Sequence, residues 1–343
     1  MKLNKLFGEL SNSVKRIIRQ VPYRNLVFKG GGVLGIAYMG ALEALEEHGI
    51  LQSIERVAGS SAGAIAATLS SFRLSAKETL ALFNSLDLAK VPQTGSGHSG
   101  VRSLPPFKNA ENIRRLVEKF GWHSSAYFHE WMGEVIASCC EGNASATFAD
   151  FEAHGFRDLY IVASNLSRKQ AEIFSYNTTP QTAVADAVRL SMSIPLYFEA
   201  VRFDGKEFGK GDYYLDGGLY SNYPIHLFDQ PRFAQGNRFY KNGINWETLG
   251  LFLKSDDMET HGKSISPENL FDFITLTIRS FYDSHALSNL DKNIVDRKRS
   301  IIIDDCGVSP LQFDLECDSD PYKNLFTTGR ESVERFLADR KNR

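Results

Sequence analysis

The chain has 343 residues, enough for one large domain or two ordinary ones. Hydrophobic residues make up 43% and charged residues 23%, and 39 basic against 41 acidic residues give a formal net charge of −2. That is the composition of a soluble globular protein, and it lacks the basic excess of a general nucleic-acid binder. No run of about 18 apolar residues is present, so no transmembrane helix is expected. The N-terminus lacks the apolar core of a cleavable secretory signal. Cys139, Cys140, Cys306 and Cys317 include no C-x-x-C pair. Reduced thiols are therefore expected rather than a zinc site or disulfide framework.

The first predicted element is a basic amphipathic helix over 1–21. Leu3, Leu6, Phe7, Leu10, Val14, Ile17 and Ile18 recur at helical spacing, with Lys2, Lys5, Lys15, Arg16 and Arg19 mostly between them. Such a helix can lie on an anionic membrane or pack on its own domain. After Pro22 short apolar runs alternate with helical segments. "NLVF" (25–28) reads as a buried strand, followed by three glycines and a helix over 36–47. "IERVAGSS" (54–61) reads as a strand entering a turn, and "AGAIAATLSSF" (62–72) as a helix of small residues. "VPQTGSGHSGVRSLPPF" (91–107) reads as a long surface loop, a lid or a mobile insertion. "LYIVASN" (159–165), "AEIFSY" (171–176), "LYFEAVRF" (196–203) and "LGLFLK" (249–254) read as strands, and "TAVADAVRLSM" (182–192) as a helix. "GRESVERFLADRKNR" (329–343) reads as a charged helix with a solvated face. Strands separated by helices predict an α/β sheet with helices on both faces.

Three motifs carry chemistry. "GSSAG" (59–63) fits G-x-S-x-G with Ser61 central. A serine on a tight strand-to-helix turn has its hydroxyl pushed into the open, and flanking Gly59 and Gly63 let backbone approach closely. A serine nucleophile needs a base, ordinarily a histidine. His154, His226, His261 and His285 follow in the chain, but none sits in a recognisable motif. Asp216 in "YYLDGGLYSNYPI" ends an aromatic, strand-like run and precedes Gly217 and Gly218. It can point into a site, or it can begin an Asp-Gly turn. "GGGVLG" (30–35) supplies backbone N–H donors between a strand and a helix, fit for an oxyanion or for a phosphate. It is not G-x-x-x-x-G-K-[ST]. It meets G-x-G-x-x-G through Gly30, Gly32 and Gly35, yet the serine turn occupies the region where a dinucleotide site would place its acidic residue.

In this order "GGGVLG", "GSSAG" and "DGG" (216–218) resemble the patatin-like phospholipase family. "RLSMSIPLYF" (189–198) and the D-G-G-x-x-x-N-x-P continuation are similar to family segments as well. The resemblance covers about 25–230; "FDL" (313–315) and "GRESVERFL" (329–337) are similar more faintly. It implies a three-layer α/β/α fold with a central, mostly parallel sheet, related to the α/β-hydrolase architecture. The implied organisation is the N-terminal helix over 1–21 and one catalytic domain over 22–343, with a motif-bearing core at 25–230 and an extension at 231–343.

The implied activity is that of a serine lipid acyl hydrolase, a phospholipase A or lysophospholipase type of carboxylic ester hydrolase. Ser61 would be the nucleophile and Asp216 the base, with no catalytic histidine. Gly30, Gly31 and Gly32 would form the oxyanion loop, supported by Gly59, Gly63, Gly217 and Gly218. One position departs from the pattern: Leu34 stands where many members carry Arg or Lys, which leaves the ordering of the loop open. Competing readings are a weak or inactive lipid-binding protein of the same fold and a Ser-His-Asp esterase.

No cofactor or metal is expected. The expected partners are a phospholipid or lysophospholipid and a peripheral membrane surface, with no nucleic acid; an activating partner or small molecule stays open. The expected location is cytoplasmic or at a membrane surface, or secreted as an effector without a cleavable signal.

Overall fold

A computed structural model of the chain describes residues 22–93, 110–254, 266–267, 273–274, 276–277 and 293–342. The helix expected over 1–21, His261, His285, and residues 94–107 of the expected long loop lie outside the described residues. In chain order the strands are β1 (Asn25–Phe28), β2 (Arg56–Ser60), β3 (Gly121–His123), β4 (Asp158–Asn165), β5 (Gln170–Phe174) and β6 (Leu196–Phe198). They continue with β7 (Val201–Phe203), β8 (Asp212–Leu215), β9 (Tyr240–Lys241), β10 (Ile244–Asn245), β11 (Thr248–Lys254) and β12 (Ser300–Asp304).

The main sheet has the order β12-β11-β1-β2-β4-β8-β7, with β5 also on β4. From β12 to β4 every pairing is parallel; β5, β8 and β7 join antiparallel. A strand covered on both faces needs apolar side chains on both, which is why "NLVF" carries no polar alternation. Leu26 and Phe28 enter the larger core, while Val27 joins a smaller one with Ala58, Tyr160, Leu227 and Phe228. Helices Ile36–Glu47, Ala62–Ser71 and Val184–Ser191 supply the larger core. A 3-10 turn, Ile225–Asp229, supplies Leu227 and Phe228 to the smaller one. The layers expected on both faces are present and unequal in thickness among the described residues.

Two expectations change. "LYFEAVRF" is two strands in different sheets: β6 pairs with β3, and β7 pairs with β8. Leu196 is held at φ 63°, and Glu199 and Ala200 donate their N–H groups to His123 O and Lys119 O, outside the main sheet. The charged C-terminal segment is the last part of a 23-residue helix, Asp320–Asn342, and it does not present a merely solvated face. Leu325 and Val333 are fully buried. The helix crosses Ile36–Glu47 so closely that a Cβ on Gly40 would collide with Phe326 O, and one on Gly329 with Ala37 O. Arg330 closes this crossing on Glu43 and Glu47. The larger core thus runs from Tyr23 to Val333 and includes β11 and β12.

Candidate active site

Ser61 follows β2 directly and caps helix Ala62–Ser71 with φ 54° and ψ −127°. That is left-handed backbone that a residue with a Cβ rarely adopts, and its cost of roughly 1–3 kcal/mol is met where the surroundings over-determine the turn. They do so here. A Cβ on Gly59 would collide with Gly63 O, and one on Gly63 with Phe28 O, so both glycines permit backbone contact on either side of the serine. The Ser61 N–H donates to Ser191 Oγ (2.9 Å), and Ser191 Oγ donates to Val162 O (2.6 Å).

Sheet register brings the other motifs to this turn. Phe28 lies opposite Gly59 in the β1–β2 pair, so the glycine loop and the serine turn leave neighbouring strands side by side. Adjacent strands are about 4.8 Å apart, so the sequence gap between these motifs vanishes in space. A Cβ on Gly30 would lie 3.1 Å from Ser61 Cβ. The Gly30 N–H donates to Asn222 O (2.9 Å), the Leu34 N–H to Gly31 O (3.2 Å), and the Val33 N–H to Pro310 O (3.0 Å). Leu34 itself is buried in the larger core.

Asp216 arrives by the reversal of direction at β8. Ser60 is opposite Val162 on β4, and Leu215 is opposite Ser164, running antiparallel. The chain after Leu215 therefore descends toward the level of Ser60, and a Cβ on Gly217 would collide with Val162 O and Ser60 Oγ. Asp216 is 1% exposed and accepts the Gly218 N–H on Oδ1 (2.7 Å). Its own N–H donates to Ser193 O (2.7 Å), and the Gly217 N–H donates to Ser191 O (3.0 Å). The segment 191–193 thus grips the serine turn and the acid turn at once.

Ser61 and Ala62 line an open pocket. Gly32, Val33 and Gly35 also line it, together with Ile65, Phe83, Leu86, Leu88, Val91, Phe128, Met192, Ile194, Phe198 and Phe313. No histidine, carboxylate or cation is among these described lining residues. A pocket lined by one serine, by glycines and otherwise by apolar side chains suits an alkyl chain.

The histidines weighed from the sequence are engaged elsewhere where they are described. His226 bonds Asp229 (3.1 Å) and Asp296 (3.0 Å), beside Arg299, which is fully buried and paired with the same two carboxylates at 2.6 and 2.7 Å. Hydrogen bonds to Asp229 and Asp296 raise His226 to about 9. Burial opposes the ionisation of Asp229, but His226 and Arg299 outweigh it and hold that carboxyl at about 2. His154 stacks on Phe156 and bonds Asp150 O (2.8 Å).

Sequence reasoning quoted the segments that hold Ser191 and Phe313 without giving either residue a role, and it passed over Pro310; their roles are tertiary. It also missed Lys29, in plain view before the glycines: buried, with Nζ donating to Gly30 O (3.2 Å).

A model of the family described as Patatin-like phospholipase matches residues 26–229, more than half of the chain. The chain belongs to this family. Among curated proteins it is 30% identical over 281 residues to the uncharacterized protein YqhO of Bacillus subtilis, covering 80% of this chain and 86% of that one. It is 26% identical over 226 residues to a probable lipid hydrolase, 463L, of Invertebrate iridescent virus 6, covering 65% and 69%. Among solved structures, VipD from Legionella pneumophila shares the fold at a TM-score of 0.56 and 18% identity, covering 93% of this chain and 67% of that one. This patatin-family chain thus has the α/β class and mostly parallel sheet that its motifs implied. Among the described residues, no helix is long and apolar enough to cross a membrane.

Proposed function

We propose that this chain hydrolyses carboxylic esters of lipids, phospholipids or lysophospholipids, with Ser61 as nucleophile and Asp216 as base. The observation that carries the reading is the apolar pocket lined in part by a strained serine at a strand-to-helix turn. Family membership supports it, as does the probable lipid hydrolase among the relatives.

Ser61 Oγ attacks the ester carbonyl, and its proton passes to Asp216. The carbonyl electrons move to an oxyanion held by the N–H groups of Gly31 and Gly32, while Gly30 ties the loop to Asn222. The ester C–O bond breaks, and the leaving alcohol takes the proton back from Asp216. Water then attacks the acyl-serine and gives a proton to Asp216, the acyl C–O bond to Ser61 breaks, Ser61 Oγ takes that proton back from Asp216, and the fatty acid leaves. The acyl chain lies in the pocket, and the head group stays outside, at the surface of a membrane. The glycines at 59, 63 and 217 serve by letting the two turns come together, and Gly218 serves by donating its N–H to Asp216.

The test is a panel of phospholipids, lysophospholipids and acylglycerols read by mass spectrometry. Wild type releases fatty acid, and Ser61→Ala and Asp216→Asn do not. Binding to vesicles with no release would make the chain a lipid-binding protein. Loss of activity on replacing His226, His261 and His285, with Asp216→Asn active, would make it a triad esterase. The engagement of His226 by Asp229 and Asp296 speaks against His226 as that base.

A further inference from the structure

Lys29 directly follows β1 and is 8% exposed. Its Nζ donates to the carbonyl oxygen of Gly30 and lies 5.1 Å from the centre of the Phe252 ring. The Lys29 carbonyl in turn accepts the hydroxyl of Tyr38. Enclosing a lysine amine carries a desolvation cost that an aliphatic side chain of equal length avoids. Its position therefore calls for a task.

The Gly30 carbonyl is one end of a planar trans peptide unit whose other end is the Gly31 N–H. The two point in opposite directions, so whatever holds the carbonyl also aims the N–H. Glycine peptides rotate more freely than others, and this unit joins two of three consecutive glycines. The flanking groups are tied separately: Gly30 N–H to Asn222 O and Val33 N–H to Pro310 O.

We infer that Lys29 is a positioning residue for the oxyanion loop: by holding the Gly30 carbonyl it fixes and polarises the Gly30–Gly31 peptide, and so presents the Gly31 N–H to the reacting carbonyl oxygen. This rests on the Ser61–Asp216 reading above. A charge-assisted donor on the carbonyl strengthens the N–H of the same unit as a donor. A donor already aimed needs no reorganisation as charge develops. In this role Lys29 acts through the Gly30–Gly31 peptide.

The experiment uses the full chain and a soluble ester, p-nitrophenyl butyrate. Loss of a whole oxyanion donor lowers kcat by about 10²–10³, so misaiming one in Lys29→Met is expected to lower kcat about tenfold with KM within about twofold. Inactivation by an alkyl fluorophosphonate, whose phosphoryl oxygen takes the oxyanion position, should slow in the same proportion. The thermal midpoint should stay near wild type. Lys29→Gln, too short to span to the carbonyl, should behave alike. An unchanged kcat, a rise in KM alone, or failure of both variants to fold would each overturn the inference. Ser61→Ala separates the two claims. If it retains activity, the nucleophile reading fails whatever Lys29 does. If it is inactive while Lys29→Met is normal, the Lys29 inference alone fails.

Discussion

Two groups of buried polar side chains differ in how they are satisfied. Around Arg299, every charge meets its opposite: Asp229 and Asp296 share the guanidinium, and His226 bridges the same two carboxylates. Around Ser61, hydrogen bonds fix backbone beside an apolar pocket that Ser61 lines. The first arrangement is closed on itself and holds β12 and the turn at 225–229 together. The second holds a strained turn in place by its neighbours. Changes in the first should appear in stability, and changes in the second in rate.

The sharpest break of this comparison is at Ser61. Ser61→Ala should lower ester hydrolysis by about 10⁴-fold or more while the thermal midpoint holds, because the side chain is small and the backbone strain remains. A midpoint that falls with the rate would erase the distinction. Arg299→Met should do the reverse. It leaves two carboxylates buried without their guanidinium, at about 3–5 kcal/mol of stability in chemical denaturation, with kcat of the folded fraction near wild type. Between them lies Ser191→Ala, which removes the acceptor of the Ser61 N–H. We expect a loss of about 1–3 kcal/mol together with a several-fold drop in kcat, the mixed signature of a residue serving both ends.

The smallest effect concerns His226. Its folded value near 9 exceeds the ordinary 6.5, so its contribution is full below about pH 6.5 and is lost as pH rises through 9. Asp229, held near 2 against 3.8, contributes above about pH 4 and loses that contribution as pH falls through 2. The His226 side chain is 60% exposed, so screening keeps its share to about 1 kcal/mol or less. His226→Gln should therefore flatten the decline in thermal midpoint between pH 6.5 and 9. An equally steep decline in the variant would assign it elsewhere.

The parallel core was legible because its strands are apolar on both faces and bounded by glycine or helix signals. Helix 36–47 appears at its expected bounds. "LYFEAVRF" was not legible as two strands, because the break lies in bonds to His123 and Lys119, which no local pattern announces. The C-terminal helix shows its charges in sequence, whereas its buried face depends on two glycines far apart meeting at a helix crossing. The placement of Ser61, Asp216 and Gly30 near one another follows from motifs combined with register; their roles remain the proposal tested above. Lys29 went unread because a side chain folding onto the next residue's carbonyl leaves no periodicity.

The contact between Val33 and Pro310 has a consequence for how the protein comes into being. A ribosome makes Ser61, the glycine loop and Asp216 well before Pro310, Phe313 and the helix that locks against Ile36–Glu47. Until those later residues emerge, the glycine loop lacks a brace and the pocket lacks a wall. A growing chain would thus carry all the motifs of a lipid hydrolase while its site is still unfinished.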